Sequence, residues 1–160
     1  MTPTQRITTF LLFAAMLAIP ATVQAQEVPL GTELPLANRS MSVSDGSSTT
    51  LAGLGGSAST VIIFWSNQCP WVDRYEDRLG QLVSDFEGRG VSFVLVNAND
   101  PSANPEEWQS ASGERASSRG YRAPYVIDAG SELATALGAT RTPHVYVFNG
   151  ENRLVYVGSV

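Results

Sequence analysis

The sequence predicts an α/β domain in which helices flank a mixed β-sheet. Two continuous apolar runs, at 60–65 and 91–97, are typical of strands that are buried on both faces of a sheet. A helix is predicted between them, so these two strands must run parallel. The turn signal at 149–150 (Asn-Gly) lies between two further apolar runs and predicts an antiparallel hairpin. Parallel and antiparallel pairs together make the sheet mixed.

The segment before the first buried strand is predicted to add a hairpin to this core. Residues 26–59 are rich in Gly, Ser, Thr and Pro, and their apolar residues are spaced as in short strands. Turn signals occur at 45–46 (Asp-Gly) and at 55–56 (Gly-Gly). We therefore expect an N-terminal β-hairpin or an extended arm that packs on the core.

The first helix is predicted to begin at Pro70 and to end before Gly88. Proline suits the first helical position because its missing N–H would be unpaired there anyway, and glycine commonly follows the last helical residue. Apolar residues recur at intervals of three and four, which indicates one buried helix face. The residues of this predicted face are Val72, Tyr75, Leu79, Leu82, Val83 and Phe86.

A second helix is predicted from about Pro105 to Ser118, with Trp108 facing the core. The remaining predicted elements are a strand at Tyr125–Asp128, a helix at Glu132–Leu137, and strands at His144–Phe148 and Arg153–Val157. Helices should cover both faces of such a sheet, yet none is predicted after the final strand. Either the chain is a C-terminally truncated fragment that ends at Val160, or another element covers that face.

Composition excludes several classes of function. The 160 residues suffice for one domain, and fifteen acidic residues against ten arginines and no lysine give a formal net charge of −5. We expect no nucleic-acid binding, because phosphate neutralisation supplies most of that affinity. The one cysteine, Cys69, and the one histidine, His144, exclude an internal disulfide and a metal site built on Cys or His pairs. The sequence has no glycine-rich phosphate loop, and no cofactor is expected.

The N-terminus has the layout of a secretory signal peptide. Arg6 precedes an apolar run, Phe10–Ile19, that is about half the length a membrane-spanning helix needs. The small-x-small pattern of residues 23–25 (Val-Gln-Ala) predicts cleavage directly after it. The predicted organisation is a signal peptide, 1–25, and one domain, 26–160, that is exported to the periplasm and not embedded in the membrane. An uncleaved membrane anchor is the alternative.

Cys69 lies where the first buried strand is followed by the first helix. Ligand sites in α/β sheets form at the carboxyl ends of strands, and a helix N-terminus offers N–H groups and a positive dipole that favour a thiolate. The alternative is a buried structural cysteine, the commoner fate of a lone thiol. Because Cys69 follows the polar residues Ser66, Asn67 and Gln68, we favour a reactive thiol.

Four segments carry a resemblance to a known family, namely Phe64–Val72, Tyr75–Leu79, Val94–Asp100 and Gly138–Phe148. They resemble the thioredoxin superfamily, and more narrowly its redoxin branch, the alkyl hydroperoxide reductase/thiol-specific antioxidant (AhpC/TSA) proteins. The resemblance covers roughly residues 30–160. It implies a thioredoxin-like mixed sheet and a C-terminal helix that is not predicted here. Separately, a Thr-Pro pair directly before a strand and opposite a helix start makes the bond between Thr142 and Pro143 a candidate cis peptide bond.

The resemblance also implies catalytic roles. Many relatives have Cys-x-x-Cys where this chain has Ser66-x-x-Cys69, so a dithiol cycle within the chain is impossible. In the peroxiredoxin-like members a hydroxyl hydrogen-bonds the reacting thiol and an arginine stabilises it, roles that Ser66 and Arg141 would take here. Arg122 is the weaker candidate, and a solvated surface arginine is the plain alternative for both. Cys69, Ser66 and Arg141 are therefore the predicted catalytic residues.

Three residues are predicted to bind a substrate or partner. Thr142 and Pro143 are expected opposite the start of the first helix, and Trp71 flanks the cysteine loop. His144 follows them and would reach the thiol as a proton relay. A strand histidine with a satisfied hydrogen bond is the plainer interpretation of His144.

The sequence thus predicts an exported thiol-dependent oxidoreductase, with an external thiol reductant or a thiol- or disulfide-bearing protein as its partner. Attack of Cys69 on a peroxide gives a sulfenic acid that an external thiol must resolve, whereas attack on a disulfide gives thiol–disulfide exchange. The absence of a second cysteine favours the peroxidase. Ile62 and Ile63, where the peroxidases usually carry a proline, favour exchange. A non-catalytic module that binds extended peptides beside Thr142 and Pro143 is the third alternative.

Overall fold

The computed structural model describes residues 28–159, so the predicted signal peptide, its cleavage site and the alternative membrane anchor lie outside the described residues. No helix within 28–159 is long and apolar enough to cross a membrane. The strands are β1 (Met41–Val43), β2 (Ser48–Thr49), β3 (Ser59–Trp65), β4 (Val91–Asn97), β5 (Tyr125–Ile127), β6 (His144–Asn149) and β7 (Leu154–Gly158). The α-helices are α1 (Pro70–Phe86), α2 (Gln109–Arg119) and α3 (Glu132–Leu137), and short 3-10 helices span Pro105–Glu107 and Ala129–Ser131.

β3 lies inside the sheet, between β4 and β6. The strand order is β2-β1-β5-β4-β3-β6-β7. The β3–β4 and β4–β5 pairs are parallel and the others antiparallel, which confirms the predicted mixed sheet and N-terminal hairpin. Trp65 of β3 pairs with Asn97 of β4, and Phe64 pairs with His144 of β6. The ends of β3 and β4 and the start of β6 therefore meet at one edge of the sheet.

α1 packs on one side of the sheet, but its buried face differs from the predicted one. Leu82 is exposed and Tyr75 only half-buried, whereas Glu76 is buried between Val72 and Leu79. A buried carboxylate requires hydrogen-bonding partners. Side chains from α2 and from the residues that follow it supply them, so this position of the helix need not be apolar.

The opposite side of the sheet is covered by α3 and by the segment that precedes β3. Leu34 and Leu51 of that segment are buried in one cluster with Leu133 and Leu137 of α3 and with alternate residues of the strands. The predicted N-terminal arm is therefore confirmed. It covers the face for which no C-terminal helix is predicted.

The second predicted helix is interrupted, and a different side chain points inward. Trp108 has an extended backbone (φ −61°, ψ 153°) and separates a 3-10 turn from α2. Trp108 is 55% exposed, so the prediction that it faces the core is wrong. Glu107 is buried instead, at 2% exposure. The prediction assumes one continuous helix over 105–118. The break at Trp108 rotates the residues on its two sides relative to each other, so a different residue faces the core.

Truncation of a buried leucine in the N-terminal arm should destabilise the fold. Leu51 is 0% exposed, and Leu51→Ala should lower the free energy of unfolding by about 2–5 kcal/mol because it leaves a cavity. Leu30 is 66% exposed, and Leu30→Ala should change it by less than about 0.5 kcal/mol. Urea unfolding of the two variants measures the difference. Equal effects would show that the arm does not pack on the sheet.

Candidate active site

Cys69 lies at the N-terminus of α1, beside the loop that leads into β6. Its backbone is extended (φ −79°, ψ 119°) and caps the helix, and its side chain is half-buried. The thiol donates to the carbonyl oxygen of Thr142, with Sγ 3.1 Å from the oxygen. The bond between Thr142 and Pro143 is cis. The structure thus brings together three of the predicted site residues, Cys69, Thr142 and Pro143.

Ser66 forms a different hydrogen bond from the one expected. Its buried hydroxyl donates to Oε1 of Glu107 at 2.5 Å and accepts the backbone N–H of Gln68 at 3.2 Å. The resemblance assigns this hydroxyl hydrogen to the thiol of Cys69. In the structure it is directed at Glu107, because a carboxylate is the stronger acceptor.

Glu107 is the acceptor for the whole loop between β3 and α1. Besides Ser66, it accepts the backbone N–H of Asn67 at 3.0 Å and that of Gln68 at 3.3 Å. The side-chain amide of Asn97, at the end of β4, donates to its Oε2 at 2.9 Å. Four donors thus satisfy a carboxylate that is almost completely buried. Sequence reasoning missed Glu107, because an acid after Pro105 is what the exposed first turn of a helix normally carries.

Asn67 fixes the same loop through its other polar groups. Its side-chain NH2 donates to the carbonyl oxygen of Glu106 at 2.7 Å and to Ser112 Oγ at 2.9 Å. Its side-chain oxygen accepts the hydroxyl of Tyr125 at 3.1 Å, and its carbonyl oxygen accepts Nη1 of Arg115 at 2.7 Å. The loop before Cys69 is therefore held by the segment that contains α2 and by β5.

Arg115 connects this loop to α1. Its Nη2 lies 3.0 Å from Oε1 of the buried Glu76 and 2.6 Å from Oδ1 of Asp73, and its Nε donates to the hydroxyl of Tyr121 at 3.0 Å. Burial alone would lower the pKa of Arg115, but the hydrogen bonds to Asp73 and Tyr121 and the charge of Glu76 raise it above its ordinary value. Arg115 is thus a permanent cation that contacts the Asn67 carbonyl. No pattern in the sequence indicates that this arginine is half-buried.

Two tyrosines in these networks stay protonated at neutral pH. Burial, and next the charge of Glu107, raise the pKa of Tyr125 above its ordinary value. Burial, and next a hydrogen bond to Glu76, raise the pKa of Tyr121 in the same direction. Both phenols therefore act as hydrogen-bond donors, Tyr125 to Asn67 and Tyr121 to Glu76.

The other predicted site residues lie at the surface. Arg141 directly precedes Thr142 and is exposed. Trp71, the second residue of α1, is exposed, and the guanidinium of Arg74 lies 5.0 Å from the centroid of its ring. Arg122 is exposed and pairs with Glu87. Arg74, Arg122 and Arg141 are thus exposed, whereas Arg115 is half-buried.

His144 lies on the side of the sheet away from α1. Its Nδ1 is 3.2 Å from the hydroxyl of Tyr146, and the two side chains share one face of β6 because they are two residues apart. Tyr146 belongs to the cluster that α3 covers, whereas Cys69 packs against the cluster that α1 covers. This placement agrees with the plainer interpretation of His144 as a hydrogen-bonded strand residue.

Removal of Arg115 should cost much more stability than removal of a surface arginine. Arg115→Ala should lower the free energy of unfolding by about 3 kcal/mol, because Glu76 stays buried and keeps only Arg119 as an ion-pair partner. Arg122→Ala breaks an exposed pair with Glu87 and should cost less than about 1 kcal/mol. Chemical denaturation of both variants measures this. Losses of the same size would contradict the distinction between the two ion pairs.

Comparison with solved structures shows which proteins share this fold. A hypothetical protein from Sinorhizobium meliloti 1021 is 34% identical and has a TM-score of 0.78, and the match covers 84% of this chain and 72% of that one. The thioredoxin domain of a thiol-disulfide oxidoreductase from Bacteroides vulgatus shares the fold, with a TM-score of 0.66, 17% identity, and coverage of 82% of this chain and 89% of that one.

A curated relative is the thiol-disulfide oxidoreductase ResA of Halalkalibacterium halodurans. It is 26% identical over 113 residues, which are 71% of this chain. The chain spans only 60% of the length of that relative. The family model described as Redoxin matches residues 27–160, the whole of the fold described above. The resemblance to the thioredoxin-like redoxins is thereby confirmed, and the chain belongs to the Redoxin family.

Proposed function

We propose that this chain is an exported thiol–disulfide oxidoreductase that works through the single cysteine Cys69 together with an external thiol. The observation that carries the proposal is the placement of the half-buried Cys69 sulfur at the N-terminus of α1, against the carbonyl oxygen of Thr142. The sulfur thus lies beside the positive end of the helix dipole, where attacking cysteines of many proteins are found. The similarity to ResA, named a thiol-disulfide oxidoreductase, supports the same reaction class.

The proposed reaction proceeds in two balanced steps. The Cys69 thiolate attacks one sulfur of a partner disulfide, the S–S bond breaks, and the other partner sulfur leaves as a thiolate. The product is a mixed disulfide between Cys69 and the partner. An external thiolate then attacks the partner sulfur of this mixed disulfide and releases Cys69 as a thiolate. No second cysteine of the chain is needed, and the sequence has none.

Exchange is favoured over peroxide reduction by the hydrogen bonds of the loop before Cys69. Reduction of a peroxide requires donors that hold the peroxide and stabilise the leaving oxygen. The hydroxyl of Ser66 and the backbone N–H groups of Asn67 and Gln68 belong to the three residues that precede Cys69, and all three are directed at Glu107. We therefore expect Cys69 to react more slowly with a peroxide than with a disulfide.

Residues around the thiol supply a surface for the partner. Trp71 is exposed two positions after Cys69, the half-buried Thr142 contacts the thiol through its carbonyl oxygen, and Pro143 next to it is buried. We assign partner binding to these three residues, and to Arg141 a charge that stabilises the reacting thiolate. The expected partner is a protein that carries a thiol or a disulfide in the periplasm, where the predicted signal peptide directs the chain and where disulfides persist.

The test compares the two substrates with the reduced mature chain, residues 26–160. Glutathione disulfide and hydrogen peroxide are supplied at equal concentration in separate reactions, and intact mass follows Cys69. We expect a glutathione mixed disulfide to form faster than a sulfenic acid, and neither product in Cys69→Ser. Faster reaction with peroxide would assign a peroxidase instead, and reaction with neither substrate would leave the non-catalytic binding module.

Trp71 should matter for a protein partner and not for a small one. Trp71→Ala should lower kcat/KM for reduction of insulin disulfides by about tenfold, because truncation of an interface tryptophan commonly costs that much affinity. The rate with glutathione disulfide should change less than about twofold, since a small disulfide buries much less surface against the indole than a protein partner does.

Tyr156→Ala is the matched control for Trp71→Ala. Trp71 and Tyr156 are 55% and 47% exposed, and Tyr156 lies on β7, two strands from β3. Tyr156→Ala should leave both rates unchanged. If the two variants lose activity toward insulin equally, Trp71 is not a partner contact.

A further inference from the structure

Glu107 accepts three hydrogen bonds from residues 66–68 of the loop that presents Cys69. We propose that Glu107 is a positioning residue that makes Cys69 selective for disulfides over peroxides, an inference that rests on the proposed function. Its carboxylate accepts the hydroxyl of Ser66 and the backbone N–H groups of Asn67 and Gln68. Every donor hydrogen of these groups is thereby directed at the protein interior and not at a substrate of Cys69.

The carboxylate is fixed in this place by its own surroundings. The backbone N–H of Glu107 donates to the carbonyl oxygen of Asn104 at 3.0 Å. The side-chain amide of Asn97 donates both to the carbonyl oxygen of Glu107, at 3.2 Å, and to its Oε2, at 2.9 Å. Because Glu107 is 2% exposed, water does not compete for its oxygens. Release of the loop donors therefore requires a change of this side chain.

The two candidate reactions differ in how much they need such donors. With hydrogen peroxide, the Cys69 thiolate attacks one oxygen, the O–O bond breaks, and sulfenic acid and hydroxide form. Hydroxide is a small oxygen anion, so its formation depends on hydrogen-bond donors. With a disulfide, the S–S bond breaks and a thiolate leaves. Sulfur is a weak hydrogen-bond acceptor, so this step proceeds without the donors that Glu107 occupies.

Replacement of Glu107 by glutamine changes the direction of one hydrogen bond. A carboxylate accepts only, so Ser66 must donate to it, whereas the NH2 group of an amide donates. In Glu107→Gln the Ser66 oxygen accepts from that NH2 group, and the hydroxyl hydrogen is released from residue 107. The amide oxygen still accepts from Asn67 and Asn97, so the loop keeps its main contacts.

The experiment measures two second-order rate constants for Cys69 in the mature chain, one with hydrogen peroxide and one with glutathione disulfide. In Glu107→Gln the peroxide rate should rise about tenfold or more, because a single preorganised donor to a developing oxygen anion is worth at least that. The disulfide rate should change less than about threefold. A merely structural role of Glu107 would lower both rates together and leave their ratio unchanged, which would overturn the proposal.

Two further variants control the experiment. Asp128 is also buried and accepts two backbone N–H groups, those of Leu133 and Ala134, so Asp128→Asn makes the same change of charge at the start of α3. It should leave the ratio of the two rates unchanged. If it shifts the ratio as much as Glu107→Gln does, the effect belongs to buried charge in general and the proposal fails.

Ser66→Ala tests the released donor directly. In the otherwise unchanged chain it should alter the peroxide rate by less than about threefold, because Ser66 already donates to Glu107. In Glu107→Gln it should remove the gain. A tenfold loss from Ser66→Ala alone would overturn the proposal, even if Glu107→Gln does not fold. If the unchanged chain reacts faster with peroxide than with disulfide, the proposed function itself fails, whatever the variants show.

Discussion

The pairing of β3 with β4 on one side and β6 on the other determines where the site forms. Because Trp65 pairs with Asn97 and Phe64 with His144, the two strand ends and one strand start are held at the same edge of the sheet. The cysteine loop follows β3, and Thr142 precedes β6. The backbone hydrogen bonds of the sheet therefore bring the thiol and the carbonyl oxygen of Thr142 together, independently of the side chains of the site.

Two buried carboxylates then tie the loop to the rest of the molecule. Glu107 accepts the N–H groups of Asn67 and Gln68, and Arg115, held by Glu76, donates to the carbonyl oxygen of Asn67. Burial of charge is expensive unless every group is paired. Here donors from the loop and from α2 offset the free energy of burying the two carboxylates. The conformation of the loop and the position of α2 therefore depend on each other.

The sequence predicted the fold because strand runs, the helix start at Pro70 and the Asn149-Gly150 turn are local signals, and the structure agrees with all three. It predicted the position of Cys69 for the same reason. It could not predict the burial of Glu107, which follows from a one-residue break at Trp108, or the role of Arg115, which follows from long-range contacts. An acid or arginine on a polar helix is by default a surface residue.

The hydrogen bond between Ser66 and Glu107 bears on how a one-cysteine chain relates to its dithiol relatives. A cysteine at position 66 would restore Cys-x-x-Cys, but its thiol is a poor donor and would face the carboxylate of Glu107. Ionised, it would place two negative charges in contact at a buried position. Gain of a second thiol is thus coupled to a change at position 107. Replacement of Ser66 by cysteine alone is therefore expected to lower the stability of the fold, and a Cys-x-x-Cys chain of this fold needs a second change at position 107.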